Sequence, residues 1–122
     1  FYKSKSKCSH IIRERIETKA GVSTKAKFIK DKSLDLILNT IYENFELPTA
    51  SCVQFMKKDN TWILTDFNMR LGAGTALSSA IGWDIVYALL VDLLEIDDPF
   101  MFLQEPAQTK KVVRVYQEIV TE

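Results

Sequence analysis

The run Asp66-Phe67-Asn68-Met69-Arg70-Leu71-Gly72-Ala73-Gly74 sets a carboxylate, an amide and a guanidinium at every second position and follows them with two glycines. Alternate side chains of a strand share a face, so Asp66, Asn68 and Arg70 project together wherever extended geometry persists. Hard oxygen ligands beside a cation shaped for phosphate suit a magnesium-nucleotide site, and glycines let backbone approach a ligand closely. Gln54, on the preceding strand of the same expected hairpin, is as far from residue 60 as Asp66 is. An odd loop centred there sets Gln54 opposite Asp66. A two-residue loop at Asp59-Asn60 sets it opposite Thr65 unless a bulge restores the match. With the match, Gln54, Asp66 and Asn68 are expected in one solvent-accessible concavity with Arg70 at its rim. The competing reading is a polar hairpin end in which Arg70 pairs with Asp66 and the glycines serve a turn.

Strands and helices must hold these groups, and the chain alternates between them. Phe1 to Tyr2 reads as the end of a strand, Lys3 to Lys7 as a turn and Cys8 to Glu17 as the return strand. Thr18 to Ser23 is a loop around Ala20-Gly21, and Thr24 to Ile29 another strand. Asp31 or Ser33 can cap a helix in which Leu34, Ile37, Leu38, Ile41, Tyr42 and Phe45 fall on one face. After Pro48, Ala50 to Lys57 pairs with Trp62 to Phe67. Ala76 to Ala80 begins a helix that Gly82 interrupts. Asp84 to Glu95 resumes it with apolar side chains on most of its circumference, which predicts a helix buried against a sheet. Ile96 to Pro106 reads as irregular, and Lys111 to Val120, with its alternating pattern, as a last strand. The expected architecture is an α+β lobe, an antiparallel sheet with covering helices.

The chain has 122 residues, room for one core. Sixteen basic side chains balance 16 acidic ones, so net charge gives no long-range pull on nucleic acid or an anionic membrane. The lysines cluster toward the start, where alternation with serine reads as a solvated strand edge. The longest apolar stretch, Ile85 to Leu94, contains Asp92 and falls short of the ~20 residues of a bilayer span. Cys8 and Cys52 lack metal-ligand spacing and read as reduced thiols of a cytoplasmic protein. The start at Phe1 reads as a cut from something longer. The lone His10 reads as an ordinary strand residue. Arg13 and Arg15 share a strand face and could meet a substrate or phosphate, or pair with the neighbouring Glu14 or Glu17.

Cys52-Val53-Gln54-Phe55, Leu64 to Arg70 and Gly72 to Gly82 together resemble the C-terminal part of an ATP-grasp domain, nearest to carbamoyl-phosphate synthase large chains and related carboxylate-amine ligases. Upstream, Glu14-Arg15-Ile16-Glu17 and Ala20-Gly21-Val22-Ser23 resemble the strand and loop that approach the nucleotide in that family. The resemblance covers most of residues 1 to 95. It implies that residues 1–122 are the C-terminal part of an ATP-grasp domain whose upstream lobe is absent from this chain, so that the segment alone is inactive.

The implied activity is ATP-dependent activation of a carboxylate or bicarbonate as an acyl phosphate, for attack by an amine or similar nucleophile. By the same resemblance Gln54, Asp66 and Asn68 hold Mg2+ or Mn2+, and Gly21, Ser23, Gln54 and Asp66 face ATP. Arg70 contacts the anion on the acyl-phosphate side and is the catalytic guanidinium, and Arg13 and Arg15, from their shared strand face, are the further candidates for substrate contact. Implied partners are ATP and a small-molecule carboxylate, not nucleic acid or membrane, and a homo-oligomer is compatible with this. The family usually carries glutamate where Asp66 stands and proline where Met69 stands. Those departures keep open an alternative, a non-catalytic binding or assembly module built on a degenerate ATP-grasp lobe.

Overall fold

A tight turn with Lys5 in the left-handed region, at φ 53°, folds Tyr2–Ser4 (β1) back onto Lys7–Ser9 (β2). The computed structural model describes residues 1–115 and 119–121. The return strand expected over Cys8 to Glu17 is broken at His10-Ile11, and a separate strand, Ile12–Lys19 (β3), begins beyond. Ile11 packs against two hydrophobic clusters, one around Tyr2 and Trp83 and one around Phe28, so the chain changes sheets where that side chain turns inward.

β3 pairs antiparallel with Val22–Ile29 (β4) through a two-residue turn at Ala20-Gly21. Both turn residues have positive φ, 49° and 78°, the geometry whose twist matches that of the flanking strands. The loop expected over Thr18 to Ser23 is therefore mostly strand. Val22 and Ser23 already belong to the ladder, because so tight a turn frees them to pair.

Lys32–Asn44 (α1) starts at Asp31, whose carboxylate accepts from the N–H groups of Ser33 and Leu34 at 2.9 and 3.1 Å. Those bonds satisfy two of the donors that a helix start leaves open. Leu38, Ile41 and Tyr42 are buried and pack with Ile12 of β3 and with Phe55 and Phe67. The last two lie on the hairpin of Cys52–Lys58 (β5) and Thr61–Asn68 (β6). α1 thus brings hairpin and sheet together, and Trp62 Nε1 donates to Ser33 Oγ at 3.0 Å to fix the hairpin's far end to the helix start.

Thr75–Ser79 (α2) and Ile85–Leu94 (α3, capped by Asp84) follow, then a 3-10 turn at Pro99–Phe102 and the strand Lys110–Val113 (β7). α3 is not buried all round. Val91 is buried, and Ile85 and Ala88 are buried against Tyr2, Trp83 and Leu103, whereas Val86, Tyr87, Leu90, Leu93 and Leu94 are about half exposed or more. What faces α3 is Tyr2 of β1, Trp83, Leu103 and the 3-10 turn, too little surface to cover more than one stripe.

β7 pairs antiparallel with β4, and is shorter than the strand expected over Lys111 to Val120. Tyr116 to Glu118 lie outside the described residues, and Ile119 and Val120 are exposed without regular structure. The class is α+β, with three small antiparallel sheets ordered β1-β2, β3-β4-β7 and β5-β6 in place of a single one. Among the described residues, no helix is long and apolar enough to cross a membrane.

Candidate functional site

The β5–β6 hairpin decides where the candidate ligands go. Its turn is the two-residue kind, with Asp59 and Asn60 both left-handed at φ 47° and 62°. From Lys58↔Thr61 to Phe55↔Leu64 the register is the one that would set Gln54 against Thr65. The register then shifts between Gln54 and Phe55, and Gln54 pairs with Asp66, Val53 with Phe67, and Cys52 with Asn68. Thr65 is the extra residue of this bulge, and its hydroxyl donates to the Gln54 carbonyl at 3.2 Å. One residue inserted into one strand reverses the facing of everything beyond it. Phe55 and Phe67 thereby turn onto α1 while Gln54, Asp66 and Asn68 share the opposite face.

On that face the side chains form one row. Gln54 Nε2 donates to Asp66 Oδ2 at 2.8 Å, and Asn68 Nδ2 donates to the same oxygen. Arg15 of β3 donates to Gln54 Oε1 at 2.7 Å, joining the two sheets. The three residues proposed from spacing as metal ligands are therefore neighbours. Their amides, however, give N–H groups to the carboxylate, and the Gln54 oxygen is occupied by a guanidinium. A half-turn of each terminal amide exchanges N–H for oxygen, so the donor types suit a hard divalent cation once the Arg15 bond is released. Among the described residues there is no group of three His, Cys, Asp or Glu side chains able to hold a metal.

Arg70 stands apart. Its guanidinium is exposed and donates to the Leu71 carbonyl at 3.1 Å, and no Arg70–Asp66 ion pair forms among the described residues. Extended geometry ends at Asn68, so the alternation that would have aimed Arg70 beside Asp66 is lost in the bend that follows. Gly21 sits exposed at the β3–β4 turn, where positive φ accounts for it. Ser23 is buried, and its Oγ has no hydrogen-bond partner among the described residues.

A cleft of about 750 Å³ runs between β3 and the β5 side of the hairpin. Arg13, Arg15, Gln54, Gly72, Gly74 and Thr75 are among the residues lining it, whereas Asp66, Asn68 and Arg70 are not. The polar row thus enters the cleft through Gln54 and Arg15, and its carboxylate lies on the exposed shoulder beside it.

The glycines have a different use from the one their spacing suggested. A Cβ on Gly74 would overlap the Arg13 guanidinium, and one on Gly72 would come within 3.2 Å of the Cys52 sulfur. Side chains, not a ligand, occupy the space that these glycines leave. Burial lowers the Arg13 pKa from its ordinary value; the nearby Cys52 works against that shift, and the neighbouring Arg15 and Arg114 add to it. Arg114, just past β7, was not singled out from the sequence. It lies in a plain alternating stretch, and only the pairing of β7 with β4 brings it to this loop, where it donates to the Ala73 carbonyl at 3.3 Å.

No family model, curated protein or solved structure matches this chain.

Proposed function

We propose that this chain forms one wall of an ATP-grasp ligase site, which activates a carboxylate or bicarbonate as an acyl phosphate for attack by an amine or similar nucleophile. The observation that carries the reading is the bulge at Thr65. It spends a register shift in an otherwise regular hairpin, and its result is to gather Gln54, Asp66 and Asn68 on one face beside Arg15.

In this proposal the substrate carboxylate oxygen attacks the terminal phosphorus of ATP, ADP leaves, and the nucleophile then displaces phosphate from the acyl carbon. Magnesium or manganese, held by Gln54, Asp66 and Asn68, would supply charge neutralisation at the phosphates when bound. Arg15 and Arg13, on the cleft side, orient an anionic group, since a guanidinium matches a carboxylate or phosphate through two parallel hydrogen bonds. Arg70, exposed on a bend, would release its bond to the Leu71 carbonyl to reach a phosphoryl oxygen. Gly21 and Ser23 remain the proposed approach to the nucleotide.

The alternative, a non-catalytic binding or assembly module, draws support from the same row. Gln54, Asp66, Asn68 and Arg15 satisfy one another, as a purely structural polar cluster would. The two readings separate in a carboxylate-dependent ADP-release assay on a chain that joins these residues to a nucleotide-holding lobe. Asp66→Asn and Arg70→Ala should each lower turnover by ~10²- to 10³-fold, the usual cost of one preorganised electrostatic contact, with an unchanged circular dichroism spectrum. Unaltered turnover in both variants favours the module.

A further inference from the structure

Arg13 is a half-buried guanidinium with no hydrogen bond or ion pair from its side chain among the described residues. Other cations nearby are matched. Lys25 and Lys27 of β4 stand 3.9 Å from Glu17 and Glu14, and Arg15 donates to Gln54. No carboxylate acts on Arg13; the Cys52 sulfur nearby favours its charge, while Arg15 and Arg114 both lie near enough to oppose it. A desolvated cation beside two like charges is costly unless something negative joins it.

The fold nevertheless makes room for this arrangement. Gly74 is buried with the Arg13 guanidinium against it, and a Cβ at that position would force the guanidinium to move from its seat. Arg114 holds the same loop from the other strand of the sheet through the Ala73 carbonyl. Two guanidinium groups from β3 and the end of β7 therefore flank Ala73-Gly74, and Arg13 opens into the cleft.

We propose that Arg13 and Arg114, astride the Ala73-Gly74 loop, form a binding site for the oxyanion group of a small molecule, a carboxylate or a phosphate. The site gives the C-terminal strand β7 a part in ligand binding. It extends to Arg114 the anion-orienting role that the ligase reading gives Arg13, and because phosphate binding alone needs neither nucleotide nor metal, it can fail while that reading stands.

The test is a titration of inorganic phosphate, at low salt and without nucleotide or divalent metal, into the chain labelled with 15N at arginine. Saturable movement of the Arg13 and Arg114 side-chain resonances is expected. Arg13→Met, and Gly74→Ala, which keeps every charge but removes the guanidinium seat, should each weaken binding about tenfold or more. Lys27→Met, which removes one charge away from the loop, should leave it unchanged. Should either loop-side variant unfold, Arg13→Lys keeps the charge without the planar fork and should show the same loss. Repeating the titration with acetate separates a carboxylate site from one specific for phosphate. Movement that sodium chloride reproduces at equal ionic strength, or an affinity that survives Arg13→Met and Gly74→Ala, overturns the proposal.

Discussion

Replacing Gln54 by glutamate turns the polar row into a test of its own geometry. Side-chain length is kept, but the Nε2–H donor, 2.8 Å from Asp66 Oδ2, becomes a carboxylate oxygen. Two unit charges at that distance repel by about 1.5 kcal/mol at the dielectric constant of water, the appropriate limit because Asp66 is exposed. The lost hydrogen bond adds about 1 kcal/mol. A new ion pair with Arg15, now 2.7 Å from Gln54 Oε1, returns up to about 1 kcal/mol. The net destabilisation is about 1.5 kcal/mol, roughly 6 °C in Tm for a chain of this length. Thermal unfolding followed by circular dichroism in EDTA reads that loss directly. Added millimolar magnesium or manganese should recover most of it, because two facing carboxylates then share a cation, and should move the parent chain much less. A variant as stable as the parent in EDTA would refute the contact. A destabilised variant indifferent to both metals would refute the claim that the row can close on an ion.

Other expectations follow from particular contacts. Asp31→Ala should cost about 1 kcal/mol through loss of the α1 cap, read from a urea midpoint. Hydrogen bonds from Ser33, side chain first, and from the Leu34 N–H hold the Asp31 carboxyl below its ordinary range. A folded pKa below the unfolded one means that this contribution is complete above about pH 4 and is lost as pH falls through the folded value, so Asp31→Asn should flatten stability against pH in that acid window. Phe28, 1% exposed near the end of β4, should cost about 3–5 kcal/mol on truncation to alanine in a denaturant titration. Asn60→Gly should raise Tm by a few degrees, because the turn holds residue 60 at a φ of 62° that glycine adopts without strain.

The helix α1 was legible because its signals agree: an Asp31 cap, an apolar face with the helical period, and a proline beyond the end. The β5–β6 hairpin was legible too, since Asp59 and Asn60 are residue types suited to left-handed turns, whereas the tight turn at Ala20-Gly21 reads as a longer loop because alanine seldom adopts the positive φ of 49° it has there. The bulge was visible only as a condition. Nothing local marks Thr65 as the extra residue, and the choice between registers is made by Phe55 and Phe67 seeking the apolar face of α1. The break at His10-Ile11 was hidden for a similar reason, as a strand that changes sheets keeps a strand's alternation. The half-exposed face of α3 shows the opposite failure. Apolar composition all round predicts burial, but burial also needs a partner surface of sufficient width. The seat of Arg13 on Gly74 could not be read from either segment alone, because it joins residues 61 positions apart.

The central claim is that Gln54, Asp66 and Asn68 act together on a divalent cation, and paramagnetic broadening by manganese tests it most directly. Traces of Mn2+ added to the 15N-labelled chain should broaden first the side-chain amides of Gln54 and Asn68 and the backbone amide of Asp66. Asp66→Asn should abolish that broadening and excess magnesium should reverse it. Broadening that starts instead at Asp97, Asp98 or Glu105, exposed carboxylates far along the chain from the hairpin, or that persists in Asp66→Asn, would contradict the assignment.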